Sequence, residues 1–489
     1  MNERCVVDDD MNSDRNLEPE NTGTSLAESP IGVEPMSRRQ VLRLAAPVVA
    51  EYVLQTSVLA VNTLLVSRAG DTALAAVGIS NPIIFLFIAV FGAISIGATV
   101  MVAQAYGAGQ RNRANHLARQ ALTWGLILAA PLSLAAYLLT PAMVGAFGDD
   151  AGVQAAAIDY LHVISATSIV LLTSILCGGV LRGAGDGRTP LYAALLANVA
   201  NLFASWVLIE GHLGVPGYGI TGAAWGSVMG RAVGLAFLLA ALFGGRLVIS
   251  LRGRSGWWPQ PGTGFQLFRL GIPAAIEQIF NEAGFAVLTI LVATLGAAAL
   301  AANHIAFTIL EMWYMPSLAL SVTATALAGQ SVGAGRPQDA MTAALILRRW
   351  TLGWNLLGAA VMLGLARPIL SIFSDDATVI AEGMTVMIVV GLTLPFFGMW
   401  LLTTGALRGT GDTRSPMVRG VIATWVTVGL AWLSVTFLDL GMGGIWGAYI
   451  VALPIAIIGN WRAFQRRTER SARTLEPDAL PGRLVPQAS

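Results

Sequence analysis

The chain has 489 residues, 55% hydrophobic and 12% charged, with a formal net charge of +1. Soluble globular proteins carry about 25% charged residues, so this composition excludes an ordinary soluble domain. The charge is a sum of tails and loops that cancel, and it points to no partner; nucleic acid is not expected.

Residues 1–37 hold nine acids, two arginines and three prolines. That reads as a disordered acidic tail, because a signal peptide needs a basic start and an apolar centre. The two cysteines, Cys5 and Cys177, fall in this tail and in an apolar run, so no disulfide framework is expected.

Beyond the tail come apolar runs of roughly 20 residues, long enough to cross a bilayer as helices. A β-barrel would show period-two alternation instead. Twelve spans are expected, centred at about 56, 91, 128, 168, 200, 233, 281, 315, 355, 393, 427 and 454. Pro47, Pro131, Pro273, Pro316, Pro395 and Pro454 fall inside spans, where bent helices are tolerated beside neighbours or a wet cavity. The fold class is an all-α polytopic membrane protein. Its parts are a first lobe over 38–250, a linker over 251–264, a second lobe over 265–465 and a disordered basic tail over 466–489.

The first span carries Glu51, Gln55 and Asn62. At 100° per residue they lie within about 40° of one another, a stripe roughly 16 Å long. It reads either as a cavity-facing path for cation or substrate, or as interhelical hydrogen bonding. After the second span, alternate loops become rich in arginine: Arg111, Arg113 and Arg119; Arg182 and Arg188; Arg246, Arg252 and Arg254; Arg336, Arg348 and Arg349; Arg408, Arg414 and Arg419. Arg38, Arg39 and Arg43 at one end, and Arg462, Arg466 and Arg467 at the other, join this set. The remaining loops hold Arg68 and Arg367. The positive-inside rule then puts both termini in the cytoplasm.

Between the fourth and fifth spans lies LRGAGDGRTP (181–190). Gly183 is expected to end a helix in the left-handed conformation, Thr189 to cap the next helix and Pro190 to open it. Arg182 and Asp186 are expected to pair and pin the turn, with Gly185 inside it. Phosphate binding is the rival reading, but no strand precedes the loop, as a dinucleotide fingerprint requires. Asn198 and Asn201 on the fifth span read as interhelical hydrogen bonds or as cavity wall. Arg231 on the sixth is a structural counter-ion, with Glu51 or Glu311 as its partner, or a substrate ligand. On the seventh span, Glu277 and Asn281 share a face, with Gln278 and Glu282 beside them and Glu282 about 140° from Glu277. Glu311 on the eighth span stands next to Trp313 and Tyr314, a setting that suits an amphipathic cation or a paired buried acid. His116, His162, His212 and His304 show no ligand spacing, so no metal site is expected.

The chain then repeats itself. LRGTGDTRSP (407–416) keeps seven of the ten letters of 181–190 at an offset of 226 residues, with Arg408, Gly409, Gly411 and Asp412 in the same places. Pro47 matches Pro273, Glu51 matches Glu277 and Gln104 matches Gln330 at that offset. The GAG at 107 matches the GAG at 333. Six spans per copy is an even number, so both copies cross the membrane in the same sense, as in parallel-repeat transporters.

The paired RGxGDxRxP turns, the Q-x-x-GAG segments and the opening Pro-x-x-x-Glu pattern cover about residues 38–465. In them the chain resembles the multidrug and toxic compound extrusion (MATE) transporters. The resemblance implies two six-helix lobes in a V, a central cleft opening alternately to either face, and export coupled to inward H⁺ or Na⁺. The family carries a carboxylate where this chain has Asn62. An amide takes up no proton, and Glu51, about three turns away, is the candidate to inherit that role. Acids on the seventh span are frequent in the family, which adds weight to Glu277.

The expectation is therefore a secondary antiporter, not an enzyme, exporting amphipathic cationic compounds with Glu51, Glu277, Glu282 and Glu311 as coupling candidates. It needs no cofactor beyond the coupling ion, works as a monomer and sits in a bacterial plasma membrane. A flippase for lipid-linked saccharides would favour a basic cavity and often extra spans. An intramembrane enzyme would need a metal-ligand cluster or a nucleophile–base pair.

Overall fold

The structure, a computed structural model, describes residues 36–145, 150–253 and 255–475. The expected acidic tail up to residue 35, Cys5, Arg254 and residues 476–489 lie outside the described residues.

Among the described residues the structure is helical, with no strand. The first half contains α1 (Arg38–Ser67), α2 (Asp71–Gly107), α3 (Arg111–Val144), α4 (Ala151–Ala166), α5 (Ser168–Gly183), α6 (Arg188–Glu210) and α7 (Gly219–Gly244). The second contains α8 (Pro261–Ala293), α9 (Ala297–Gly333), α10 (Pro337–Gly364), α11 (Ala366–Phe373), α12 (Ala377–Gly409), α13 (Arg414–Thr436) and α14 (Gly441–Leu475). Among the described residues nine helices are long and apolar enough to cross a membrane, or eleven spans if the two bent pairs count as one each. The remaining one of the twelve expected spans falls on α2, 37 residues long.

The fourth expected span is a bent pair, α4 and α5 meeting at 51°. The bend falls at Thr167, whose hydroxyl donates to the carbonyl of Val163 at 2.7 Å and competes with the helix's own ladder. Pro47, Pro131, Pro273, Pro316, Pro395 and Pro454 all lie inside continuous helices. The α14 helix continues to Leu475, so residues 466–475, expected in the tail, are helical.

The doubled turn differs in detail from its sequence reading. The left-handed residues are Gly185 (φ 87°) and Gly411 (φ 88°), two places later than expected. Gly183 and Gly409 are helical and serve close approach instead. A Cβ on them would lie 2.7 Å from the Thr99 carbonyl oxygen and 2.4 Å from that of Thr325. The cap is the aspartate rather than Thr189 or Ser415. Asp186 Oδ1 accepts from the N–H groups of Arg188 and Thr189, both at 3.0 Å, and Asp412 Oδ1 accepts from Ser415 N–H at 2.9 Å. The Thr189 and Ser415 hydroxyls donate back to the same carboxylates at 2.5 and 2.8 Å. Pro190 and Pro416 then sit in the first turn, where a missing N–H leaves no ladder bond unmade.

Packing repeats along with the sequence. The α1 helix lies on α6 as α8 lies on α13, and α2 lies on α5 as α9 lies on α12. From Met36 on, the chain is one compact unit, because the first helix of each half is embedded in the other. Val41, Leu44 and Val48 of α1 are buried with Leu327 of α9, Leu347 of α10 and Leu407 of α12. Leu267 of α8 is buried with Phe91 and Ala98 of α2 and Leu176 of α5. The linker is strapped onto α3: Gln120 Nε2 donates to the carbonyls of Gly256 and Trp258 at 2.8 and 2.6 Å, and its Oε1 accepts from Gln260 N–H at 2.9 Å. The linker gives way to α8 at Pro261, ahead of the expected boundary.

Candidate functional site: acids and amides around the inter-lobe seam

The arginine of each doubled turn reaches back to the glutamate of the Pro-x-x-x-Glu pattern in its own half. Arg182 Nη1 lies 2.9 and 3.1 Å from the two carboxylate oxygens of Glu51. Arg408 Nη2 lies 2.6 Å from Glu277 Oε2. Glu51 and Glu277 are 6% and 2% exposed, so each buried charge meets its opposite where desolvation would otherwise disfavour it. The expected Arg182–Asp186 and Arg408–Asp412 pairs do not form, because both aspartates are engaged in capping. Asp412 also pairs with Arg467 of α14 at 3.3 Å.

The two halves are joined at the end that carries these turns. Gln330 Nε2 donates to the carbonyl of Gly183 at 2.8 Å, and Gln104 Nε2 donates to that of Gly409 at 3.2 Å. A Cβ on Gly107 would lie 2.0 Å from the Gln330 carbonyl oxygen, and one on Gly333 2.0 Å from that of Gln104. Only glycine lets the two backbones approach this closely. The repeated Q-x-x-G segments thus form a reciprocal contact between α2 and α9. In the sequence these residues stand out only as repeat markers, because their contact joins positions more than 200 residues apart.

The remaining candidates separate into two groups. In the second half, Asn281 faces α13 and accepts from the Thr424 hydroxyl at 2.6 Å. Half-buried Glu282 accepts from Gln278 Nε2 at 2.9 Å. Tyr314 stands within electrostatic reach of Glu282, Arg408, Glu277 and, from the first half, Tyr52. Tyr52 in turn neighbours Arg182 and Glu51. Half-buried Glu311, one helical turn before Tyr314, has no ion pair among the described residues. Trp313 does not join them. It packs on Gly358 and lies against Trp354 with ring centroids 4.9 Å apart and ring planes tilted by 47°, inside the α9–α10 interface.

In the first half, Gln55 is exposed and Asn62 half-buried, its Oδ1 lacking a hydrogen-bond partner. Asn201 is buried against Gly230 and accepts from the Ser205 hydroxyl at 3.0 Å. Asn198 is half-buried with Nδ2 unpartnered. Arg231 neighbours Tyr160 of α4, not Glu51, which Arg182 already occupies, and not Glu311. No group of three or more His, Cys, Asp or Glu among the described residues could hold a metal ion. A cavity of about 370 Å³ between α3, α5 and α7, lined by Leu122, Leu126, Leu235 and Phe243, contains none of the candidate acids.

A family model described as MatE matches twice, over residues 47–207 and 273–433, at the same 226-residue offset as Pro47 and Pro273. A relative named probable multidrug resistance protein NorM, from Thermotoga maritima, is 30% identical over 84% of this chain and 89% of its own. The multidrug resistance protein PmpM of Pseudomonas aeruginosa is 29% identical over 89% of this chain and 94% of its own. Among solved structures, a MOP superfamily transporter from Pyrococcus furiosus superposes with a TM-score of 0.82 at 21% identity, covering 90% of this chain and 96% of that one. A multidrug resistance MATE transporter in its outward-facing conformation gives 0.82 at 21%, covering 89% and 96%. Duplicated turns, reciprocal seam and repeated family match converge: the chain is a multi-pass membrane transporter, not an enzyme, and belongs to the multidrug and toxic compound extrusion (MATE) family.

Proposed function

We propose that this chain exports amphipathic organic cations in exchange for H⁺ or Na⁺. The observation that carries the reading is the division of the four acids. Glu51 and Glu277 are already neutralised by Arg182 and Arg408, while Glu282 and Glu311 are half-buried with no guanidinium beside them. An ionisable side chain at membrane depth without a counter-ion is a default functional site. In this reading the coupling role expected of Glu51 and Glu277 passes to Glu282 and Glu311, with Tyr314, near Glu282 and one helical turn after Glu311, offering an aromatic face to a cation. Asn62, an amide, takes no part in proton exchange.

The arginine-rich loops support a cytoplasmic side for both termini and both doubled turns, by the positive-inside rule. The Gln104–Gln330 seam then closes the cytoplasmic side, and breaking it opens the cleft inward. Substrate and coupling ion compete for the same acids, so each favours a different tilt of the lobes. The names of the NorM and PmpM relatives support drug-like cargo. One chain supplies both lobes and works as a monomer in a bacterial plasma membrane.

The test is efflux of a fluorescent organic cation from liposomes holding the purified protein. A pH or a Na⁺ gradient, imposed separately, drives export, and collapsing it with the matching ionophore stops it. Export that neither gradient drives contradicts the reading.

A further inference from the structure

Arg231 is a membrane-depth charge that neither the seam nor the acids account for. It is half-buried on α7 beside Tyr160, which shares a hydrogen bond with Ser227, and no carboxylate pairs with it among the described residues. Its helix packs antiparallel on α6 through small residues. A Cβ on Gly230 would lie 2.5 Å from the Ala197 carbonyl oxygen and from Asn201 Cβ, and one on Gly234 2.9 Å from Ala197 Cβ. One residue past this contact is a rotation of about 100° on each helix. In an antiparallel pair that brings Asn198 and Arg231 to the same side at the same depth. Asn198 Nδ2 is buried there with no acceptor.

The second half shows what the same place looks like when it is closed. Positions 55 and 198 correspond to Asn281 and Thr424, which satisfy each other at 2.6 Å. Near the end of each half the offset slips to 225, GITGAA at 219 lying against GIWGAY at 444, so position 231 corresponds to Ala456, 0% exposed. The repeat is therefore neutral and self-satisfied in one half, but holds a guanidinium and an idle amide donor in the other. Both groups donate, and the guanidinium fork matches the two oxygens of a carboxylate.

We propose that Arg231 and Asn198 bind the carboxylate of a zwitterionic substrate, whose cationic group is taken by Glu282 and Glu311. The second clause rests on the function proposed above; the first does not.

Rhodamine B, a zwitterion, and its ethyl ester, the same cation without the carboxylate, separate the two. Binding to the purified full-length protein is followed by fluorescence anisotropy. Arg231→Gln should weaken rhodamine B about tenfold, leave the ester within about twofold, and keep the melting temperature of the parent protein. Arg231→Lys should fall between. Asn198→Ala, which keeps the charge, should weaken rhodamine B about threefold and decides the matter if Arg231→Gln does not fold. Equal losses for both dyes, or none for either, overturn the proposal. It is also overturned if replacing chloride with methanesulfonate shifts the melting of the parent but not of Arg231→Gln, while the dye preference ignores Arg231; the site then holds a free halide. If the ester does not bind the parent protein, the cation reading fails, and the effect of Arg231→Gln on rhodamine B still decides the carboxylate site.

Discussion

Gln330 on α9 donates to the carbonyl of Gly183 on α5 at 2.8 Å, a hydrogen bond between the two halves of the molecule, and Gln104 returns it to Gly409 at 3.2 Å. The acceptors are the last helical residues before the doubled turns. The same turns send Arg182 and Arg408 back to Glu51 and Glu277. Each turn is therefore a hub that ties the start of its own half to the seam with the other.

Loosening the seam should shift the balance between its closed and open states. A hydrogen bond contributes about 0.5–1.5 kcal/mol, so Gln104→Ala with Gln330→Ala should change that equilibrium by roughly five- to a hundredfold. Gly333→Val, whose Cβ would meet the Gln104 backbone at 2.0 Å, should hold the seam apart outright. Spin labels at Ala108 and Ala334, both exposed, report the separation. An unchanged distance distribution in Gly333→Val refutes the seam as a gate.

The Glu51–Arg182 pair should behave as structure. Glu51→Gln leaves a buried guanidinium unpaired and should destabilise the protein by about 3–5 kcal/mol. The double change Glu51→Gln with Arg182→Met should lose less than the two single changes together, in thermal melts in detergent. Additive losses would mean that the two side chains are not coupled.

A small pH effect is expected at Asp376, the fully exposed N-cap of α12. Hydrogen bonds from the Thr378 hydroxyl and N–H hold its carboxyl below the usual carboxylate value. The stabilisation is complete above the unfolded value of about 3.9 and disappears as pH falls through the lower folded one. Asp376→Ala should therefore lower stability at neutral pH and flatten its fall below pH about 4. An acid limb identical to that of the parent protein would contradict this.

Much of this molecule can be read from its letters, for physical reasons. Apolar runs must be helices where backbone groups have no water, and the spacing of Pro47 and Pro273 exposes the duplication. The partners of the charges cannot be read so easily. Arg182 has Asp186 four residues away and Glu51 131 residues away, and it pairs with the distant one because Asp186 is held by the N–H groups of Arg188 and Thr189. Gly183 and Gly185 look interchangeable in sequence. Only packing against Thr99 assigns close approach to one and the left-handed conformation to the other. Trp313 and Tyr314 are neighbours in the chain, yet the 100° step of a helix sends Trp313 toward Trp354 while Tyr314 stands near Glu282.

The division of the acids into two neutralised and two unpaired is tested most directly by one comparison. Glu51→Gln, Glu277→Gln, Glu282→Gln and Glu311→Gln are reconstituted at equal amounts of folded protein, and gradient-driven efflux of an organic cation is measured for each. Glu282→Gln and Glu311→Gln should lose coupled efflux while melting like the parent, whereas Glu51→Gln and Glu277→Gln should melt lower yet keep coupling per folded molecule. Full coupled efflux in both Glu282→Gln and Glu311→Gln, or its loss in well-folded Glu51→Gln, would contradict the account.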